Sequence, residues 1–314
     1  MKPVIELSDQ LNYLKRKQRL LNRYSEIVSH EGYVLYEPDD FETYERFMRI
    51  NERVEPASMV KVTDNHGDVL ILRPDVTTQV IDRLIPKWDG GEPLKLYYDT
   101  TVYKHTDGGI AGNRHFGVET IASNRESSDD IIISLATRLL NEGTDDYVFV
   151  LGNQRFLNAL FSDLNLSQEK LARLKEIITY KNDYELRRFV ENESIGEPSR
   201  SRLLKLFELE GDLKDVEQAS QALNLTSAMQ TALNELRRVK DTMNGANTIY
   251  DLSLLSEYDY YEGVVFRAYG PESPRAILKG GRYAPLKESD ASISAIGFSI
   301  DIETLLLGGK SNES

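Results

Sequence analysis

The first part of the chain alternates between helical and strand-like spacing of apolar residues. From Ser8 to just before Gly32, apolar residues recur three or four positions apart, which predicts a long opening helix. A short β-rich run then stops at Pro38, and residues 39–51 predict a second helix. Residues 59–72 hold two alternating runs around an Asn-His-Gly turn, so we expect a β-hairpin there.

The next part of the chain predicts a pair of strands and a helix. The strand candidates lie at residues 94–105 and 114–123, and the glycine-rich residues 106–113 between them favour a mobile loop. Ser128 or Asp129 is expected to cap the helix that follows, because a short polar side chain there can accept from the first free amides.

The composition of the chain changes after a further strand, which is predicted at residues 146–153. Residues 154–244 are charged and helix-forming with no recognisable strand, and β-rich sequence returns after them. Strands that form hairpins and resume after a helical stretch favour an antiparallel sheet, since parallel units would space the strands by regular helices. We therefore predict an α+β fold with a domain at 1–153 and 245–308, a helical insertion at 154–244 and a tail at 309–314.

The composition removes several classes of function. Acidic residues outnumber basic ones by 51 to 38, and the resulting net charge of −13 repels nucleic acid. The chain has no cysteine, and its four histidines lack the spacing of a zinc site, so we expect neither a metal nor another cofactor. No apolar window matches a signal peptide or a membrane span, which indicates a cytoplasmic protein.

Several polar residues stand at positions where a ligand site could form. Asp75 and Thr77 follow an Arg-Pro step that ends a strand. Glu119 lies inside an otherwise apolar strand; on its own it is more simply an exposed carboxylate than one aimed into a cavity. Each tyrosine of the later β-rich part could on its own be an ordinary core aromatic: Tyr260, Tyr261 and Tyr283.

Taken together, these segments resemble the catalytic domain of class II aminoacyl-tRNA synthetases, specifically the histidyl-tRNA synthetase family. The resemblance covers nearly the whole chain outside the helical insertion. It implies a class II antiparallel sheet flanked by helices, and a homodimer formed through the segment around Pro38. The segments that carry it are "GYVLYEPDDFE", "MVKVTDNHGDVLILRPDVT", "FGVETIA", "EYDYYEGVVFRAY", "LKGGRYAPL" and "AIGFSIDIETLLL".

The chain departs from that family where the family places arginines. The Phe-Arg-x-Glu run of the second class II motif corresponds to residues 102–105, Val-Tyr-Lys-His, while Ser256 and Thr304 occupy the other two arginine positions. Each such donor to a polyphosphate is typically worth about 10²–10³ in rate, so the three replacements argue against adenylate formation. The sequence also ends within ten residues of Leu307, where the family continues into an anticodon-binding domain. We therefore expect no catalytic residues and a pocket without its catalytic cations.

The resemblance implies a histidine pocket. Asp75 and Thr77 would meet the ammonium group, and a carboxylate with phenol hydroxyls would surround the imidazole. The pocket could instead be vestigial and kept only for the fold. The implied ligand-binding residues are Asp75, Thr77, His115, Glu119, Tyr260, Tyr261 and Tyr283.

Synthetase-like chains without the arginines and the anticodon domain resemble the regulatory subunits of ATP phosphoribosyltransferase, the first enzyme of histidine biosynthesis. That resemblance implies a non-enzymatic subunit that assembles with the short catalytic subunit into a hetero-octamer and confers histidine feedback by linkage. Two alternatives stay open: a stand-alone ligase that activates histidine or another amino acid, and a free histidine sensor that acts on another partner.

Overall fold

The computed structural model describes residues 6–51, 54–122, 126–243, 247–256, 258, 260–271, 274–283 and 293–307. The tail predicted at 309–314 lies outside the described residues. The chain forms a nine-stranded sheet in the order β1-β5-β6-β12-β11-β10-β7-β9-β8 and a three-stranded sheet in the order β2-β4-β3. The strands are β1 Val34–Leu35, β2 Phe41–Thr43, β3 Lys61–Thr63, β4 Val69–Leu72, β5 Leu94–Thr106, β6 Gly109–Ala122, β7 Val148–Asn153, β8 Glu210–Gly211, β9 Asn247–Asp251, β10 Tyr261–Tyr269, β11 Ala276–Tyr283 and β12 Ser294–Asp301.

The helices follow the apolar periodicity of the sequence. A π-turn at Val80–Leu84 continues α3, and 3₁₀ turns stand at Pro56–Ser58, Ile85–Lys87, Leu206–Glu208 and Lys240–Met243. The helices are α1 Leu7–His30, α2 Tyr44–Ile50, α3 Thr77–Gln79, α4 Glu126–Gly143, α5 Gln154–Ser162, α6 Gln168–Thr179, α7 Asp183–Asn192, α8 Ser199–Leu204, α9 Leu213–Gln221, α10 Ser227–Val239 and α11 Ile302–Leu307.

The α+β fold class is confirmed, but the large sheet is mixed, whereas the sequence favoured an antiparallel one. Its centre, from β5 through β7, is antiparallel, but β1 pairs with β5 and β7 pairs with β9 in parallel. A parallel pair needs a crossover connection, and the helical segment between β7 and β9 supplies it. That segment also contains the two-residue strand β8, which the sequence did not predict.

The helical segment packs into the same apolar cluster as the sheet. Side chains of α5 to α10 lie in this cluster with α1, α4, α11 and one face of the sheet. The division of the chain at residues 153 and 245 stays a prediction.

Three local expectations are wrong. Residues 39–51 are not one helix, because β2 precedes α2. Residues 106–113 are not a mobile loop, because β5 and β6 pair as far as Thr106 and Gly109 and leave only a two-residue turn. The helix α4 begins at Glu126, so Ser128 and Asp129 lie inside its first turn instead of capping it.

Candidate functional site

The central strands form one wall of a cavity of about 540 Å³. Side chains alternate between the two faces of a strand, so Tyr97 packs among the helices while Tyr98 lines the cavity. The wall is completed by residues 74–77, which lead from β4 into the first residue of α3, and by Tyr258 before β10. The volume lies within the range of small-molecule sites.

A row of residues crosses the sheet at this wall of the cavity. Glu119 of β6 lies opposite Gly297 of β12, which lies opposite Gly281 of β11. A Cβ atom on Gly297 would lie 2.0 Å from Glu119 Oε2, and one on Gly281 would lie 2.9 Å from the Tyr261 ring. Both glycines therefore leave room for the side chains that define the site.

Glu119 is buried and is bonded to hydroxyl groups. Its side chain is 1% exposed, so the simpler expectation of an exposed carboxylate is wrong. Thr77 Oγ1 donates to Glu119 Oε1 at 2.7 Å, and Tyr283 OH donates to Oε2 at 2.9 Å. Burial raises the pKa of Glu119 to about 7; the two hydroxyls lower it and the charge of Asp75 raises it. The group can thus accept from a cationic or N–H-bearing ligand near neutral pH.

Asp75 supplies a second carboxylate to the same cavity. The Thr78 amide donates to its Oδ1 at 2.7 Å, and Thr78 Oγ1 donates to Oδ2 at 2.8 Å, which fixes the carboxylate at the start of α3. Burial raises the pKa of Asp75, while the Thr78 bonds and Lys104 lower it. Two neighbouring carboxylates in a cavity favour a cationic ligand group.

The tyrosines predicted for the site form an aromatic corner. The rings of Tyr260 and Tyr261 are 4.8 Å apart, and that of Tyr283 stands edge-on to Tyr260 at 5.7 Å. Burial raises the pKa values of Tyr260 and Tyr283 well above the ordinary value, so both hydroxyls stay protonated. The corner offers flat apolar surface for a ring.

His115 lies beside Asp301 on the same wall, since the two residues are opposite each other on β6 and β12. Its Nδ1 is 2.7 Å from Ser299 Oγ. Burial lowers the pKa of His115 to about 4; Asp301 opposes that shift, and Lys104 and Lys279 add to it. The imidazole is therefore neutral at pH 7.

The structure brings all seven predicted ligand-binding residues to this one cavity. Their role in binding stays a prediction. Four lysine and arginine side chains line the same cavity among the described residues, and the sequence assigned none of them to the pocket, although one lies in the run 102–105. Alternation along β10 and β11 is the signal that could have found two of them. These side chains are Lys104, Arg267, Arg275 and Lys279.

The family's arginine positions hold residues with structural contacts. The Ser256 amide donates to Gln154 Oε1 at 3.1 Å, and Ser256 Oγ accepts from the Tyr258 amide at 3.2 Å. Thr304 is buried in the first turn of α11, where its amide donates to Asp301 Oδ1 at 2.9 Å. Neither side chain carries a positive charge that could bind a polyphosphate.

Arg73 is a structural residue to which the sequence assigned no role. It is 1% exposed and donates to the carbonyls of Pro38, Asp39 and Thr101 at 2.7–3.2 Å. It therefore ties the segment around Pro38 to β5, next to the cavity.

Among the described residues, no cluster of three or more acidic or histidine side chains is arranged to hold a metal ion. The helices of that part of the chain are all too short or too polar to cross a membrane.

The comparisons with known proteins find the family that the sequence resembles. The family model of histidyl-tRNA synthetase matches residues 10–305. A protein of Thermoanaerobacter sp. strain X514 named ATP phosphoribosyltransferase regulatory subunit is 30% identical over 301 residues, which cover 93% of this chain and 78% of that protein.

Two solved structures share the fold. A Bacillus halodurans C structure described as an ATP phosphoribosyltransferase regulatory subunit/histidyl-tRNA synthetase matches with a TM-score of 0.83 and 26% identity, covering 99% of this chain and 82% of that one. A chain of the ATP phosphoribosyl transferase (HisG:HisZ) complex from Thermotoga maritima matches with a TM-score of 0.68 over 90% and 96% of the two chains. At 18% identity the second likeness shows the fold alone.

Proposed function

The chain belongs to the histidyl-tRNA synthetase family, and from that premise we propose that it is a non-catalytic regulatory subunit of ATP phosphoribosyltransferase. The observation that carries the proposal is the 30% identity, over 93% of the chain, to a protein named as such a subunit. The uncharged residues at Ser256 and Thr304 support the absence of adenylate chemistry. The proposed place of action is the cytoplasm, with the short catalytic subunit as partner in a hetero-octamer.

Reconstitution tests this proposal. The chain is mixed with a short-form catalytic subunit, and phosphoribosyl transfer to ATP is measured with and without it. We expect the two proteins to co-elute in size-exclusion chromatography and the activity to depend on the added chain. No co-elution and no stimulation would exclude the regulatory role.

The ligase alternative is separated by a second assay. ATP–pyrophosphate exchange in the presence of L-histidine requires an activating enzyme, and the residues at the family's arginine positions do not provide its cations. We expect no exchange above background. Measurable exchange would favour the ligase over the regulator.

We further propose that L-histidine binds in the cavity as the feedback ligand. The support is the buried Glu119 with its two hydroxyl partners beside Asp75 and the aromatic corner. Calorimetry should show weaker L-histidine binding by about tenfold or more in Glu119→Ala. Glu45→Ala, on the exposed side of α2, is the matched control. Equal affinities in the wild type and Glu119→Ala would remove the pocket assignment.

The homodimer through the segment around Pro38 is also a proposal. Apolar side chains are exposed on both sides of that segment: Val34 by 64%, Leu35 by 50% and Phe41 by 45%. Sedimentation of the isolated chain should give a dimer that Leu35→Ser weakens. Tyr180→Ser removes a large side chain that is more exposed than Leu35, at 77%, from the helical segment, and should leave the dimer intact. A monomeric wild type would contradict the proposal.

A further inference from the structure

We propose that the short helix α3 couples ligand binding in the cavity to the segment around Pro38, so that L-histidine strengthens the homodimer and dimerisation strengthens L-histidine binding. The inference rests on the proposed ligand pocket and the proposed dimer, and it names the regulation that connects them. Gln79 is the positioning residue of this connection.

The first two residues of α3 hold the carboxylates of the cavity. Thr77 donates its hydroxyl to Glu119 at 2.7 Å. Thr78 donates its amide and its hydroxyl to Asp75, at 2.7 Å and 2.8 Å. A cationic ligand group that binds to either carboxylate therefore competes for oxygen atoms that α3 already occupies, and so acts on the position of this helix.

The third residue of α3 holds the segment around Pro38. The Asp39 amide donates to Gln79 Oε1 at 2.9 Å, and Gln79 Nε2 donates to the Asp39 carbonyl at 2.8 Å. The same Nε2 donates at 3.2 Å to Glu42 of β2, next to the exposed Phe41. Gln79 is fully buried, so the loss of any of these bonds would leave a buried polar group unpaired, which is costly. Asp39 is therefore expected to move with α3.

Arg73 bonds to the same backbone from the other side of Asp75 in the sequence. Its Nη1 donates to the Asp39 carbonyl at 2.7 Å and to the Pro38 carbonyl at 2.8 Å. Asp75 of the cavity thus lies between two residues, Arg73 and Gln79, that both bond to Asp39. A shift of residues 73–79 is transmitted to the segment by two independent contacts.

The helix that begins with α3 is irregular. Its three α-helical residues are followed by the π-turn Val80–Leu84 and the 3₁₀ turn Ile85–Lys87, and such changes of helix type often mark hinges and functional sites. Asn51 donates to Thr78 Oγ1 at 2.8 Å, while Asn51 Oδ1 is buried and accepts no hydrogen bond within the described part of the chain. An unpaired buried acceptor raises the free energy of this arrangement of α3, so a ligand can bias it.

The sign of the coupling follows from the residues that the two events share. L-histidine at Glu119 and Asp75 fixes α3, and a second copy at the segment around Pro38 fixes Asp39. Whichever event comes first orders residues that the other would otherwise have to order, so each strengthens the other. Linkage requires the same factor in both directions.

Sedimentation equilibrium and equilibrium dialysis with labelled L-histidine measure that factor. Saturating L-histidine should lower the dissociation constant of the wild-type dimer by about fivefold or more. The affinity for L-histidine should rise by the same factor between protein concentrations below and above that constant. Gln79→Met keeps the length of the side chain and removes its amide, so both factors should fall to within about twofold while binding and dimerisation persist.

Hydrogen exchange of the Asp39 amide tests the connection in the wild type alone, because this N–H donates to Gln79 Oε1. At protein concentrations where the chain is monomeric, L-histidine should slow this exchange by about fivefold or more. The Arg155 amide, which donates to the Asn153 side chain outside the cavity, should exchange at an unchanged rate. An Asp39 amide that does not respond to bound L-histidine would overturn the coupling even if Gln79→Met failed to fold.

Gln154→Met is the matched control, since Gln154 of α5 is also buried and its Oε1 accepts from a backbone amide, that of Ser256. It should retain the wild-type coupling factor. Wild-type coupling in Gln79→Met would overturn the role of Gln79.

The outcomes separate this inference from the proposals on which it rests. A wild type that dimerises and binds L-histidine, with neither event affecting the other, overturns the coupling alone. A monomeric wild type overturns the dimer and the coupling, and a wild type that binds no L-histidine overturns the pocket and the coupling. A chain that neither co-elutes with the catalytic subunit nor activates it fails the proposed function.

Discussion

Two buried carboxylates on opposite faces of the large sheet have different partners. Asp129 lies on α4, on the helical side of the sheet, and bonds to the guanidinium of Arg282 of β11 at 2.5 Å, with both side chains less than 8% exposed. Glu119 faces the cavity, and its partners are the hydroxyls of Thr77 and Tyr283. Burial raises the pKa of both carboxylates, but only at Asp129 does an arginine oppose it.

The difference separates a charge that is compensated within the fold from one that we propose to serve a ligand. A buried charge that serves the fold needs its counter-ion within the fold, because an uncompensated ion in the interior is costly. Glu119 relies on neutral donors instead and lines a cavity in which a ligand can supply the missing positive charge. We therefore expect the free energy of unfolding to change in opposite directions when a charge of the Asp129 pair and the charge of Glu119 are removed.

The largest expected effect is at the structural pair. Arg282→Ala leaves Asp129 buried without its counter-ion and should lower the free energy of unfolding by about 3–5 kcal/mol, measured by urea denaturation. Arg173→Ala removes an exposed arginine that pairs with Glu185 and should cause no measurable change. If both variants lost equally little free energy of unfolding, the pair of Asp129 and Arg282 would not stabilise the fold.

The next effect tests the space reserved for Glu119. Gly297→Ala places a methyl group 2.0 Å from Glu119 Oε2 and 2.5 Å from the Val118 carbonyl, so we expect a loss of about 1–3 kcal/mol in the free energy of unfolding. The matched control is Gly196→Ala, where no atom lies within 4 Å of the added Cβ. If the free energy of unfolding of Gly297→Ala equals that of the wild type, the atoms around Gly297 can move to make room for the methyl group.

Sequence reasoning located the seven predicted residues, because the motifs that carry them keep their order along the chain. It could not find the basic side chains opposite them. Arg267 and Lys279 become neighbours only through the register of β10 and β11, which no single-strand pattern fixes. Arg73 was equally hidden, since its partners are backbone carbonyls of other segments.

The errors in secondary structure have the same origin. The glycine-rich residues 106–113 have the composition of a loop, but pairing between β5 and β6 continues through them nearly to the turn. Ser128 and Asp129 have the composition of a helix cap, but tertiary bonds to Arg282 use their side chains instead. In both places a contact distant in sequence outweighed the local preference.

Glu119→Gln should change how stability depends on pH. The pKa of Glu119 is about 7 in the folded chain and near its ordinary, lower value when unfolded, so its contribution to stability is present at low pH and is lost as pH rises through about 7. Relative to the wild type, the variant should gain about 2 kcal/mol between pH 5 and pH 8. Urea denaturation at both pH values measures this, with exposed Glu45→Gln as control; parallel changes in all three proteins would contradict it.

The smallest effect isolates one hydrogen bond of the cavity carboxylate. Thr77→Val removes the 2.7 Å donor to Glu119 Oε1 and should raise the pKa of Glu119 further, because that bond favours the ionised form. The substitution should therefore cost about 1 kcal/mol more at pH 8, where Glu119 is ionised, than at pH 5, where it is neutral. Thr63→Val, on an exposed position of β3, should show no such difference. In a Glu119→Gln background the pH-dependent excess should disappear, and its persistence there would show that Thr77 acts through another group.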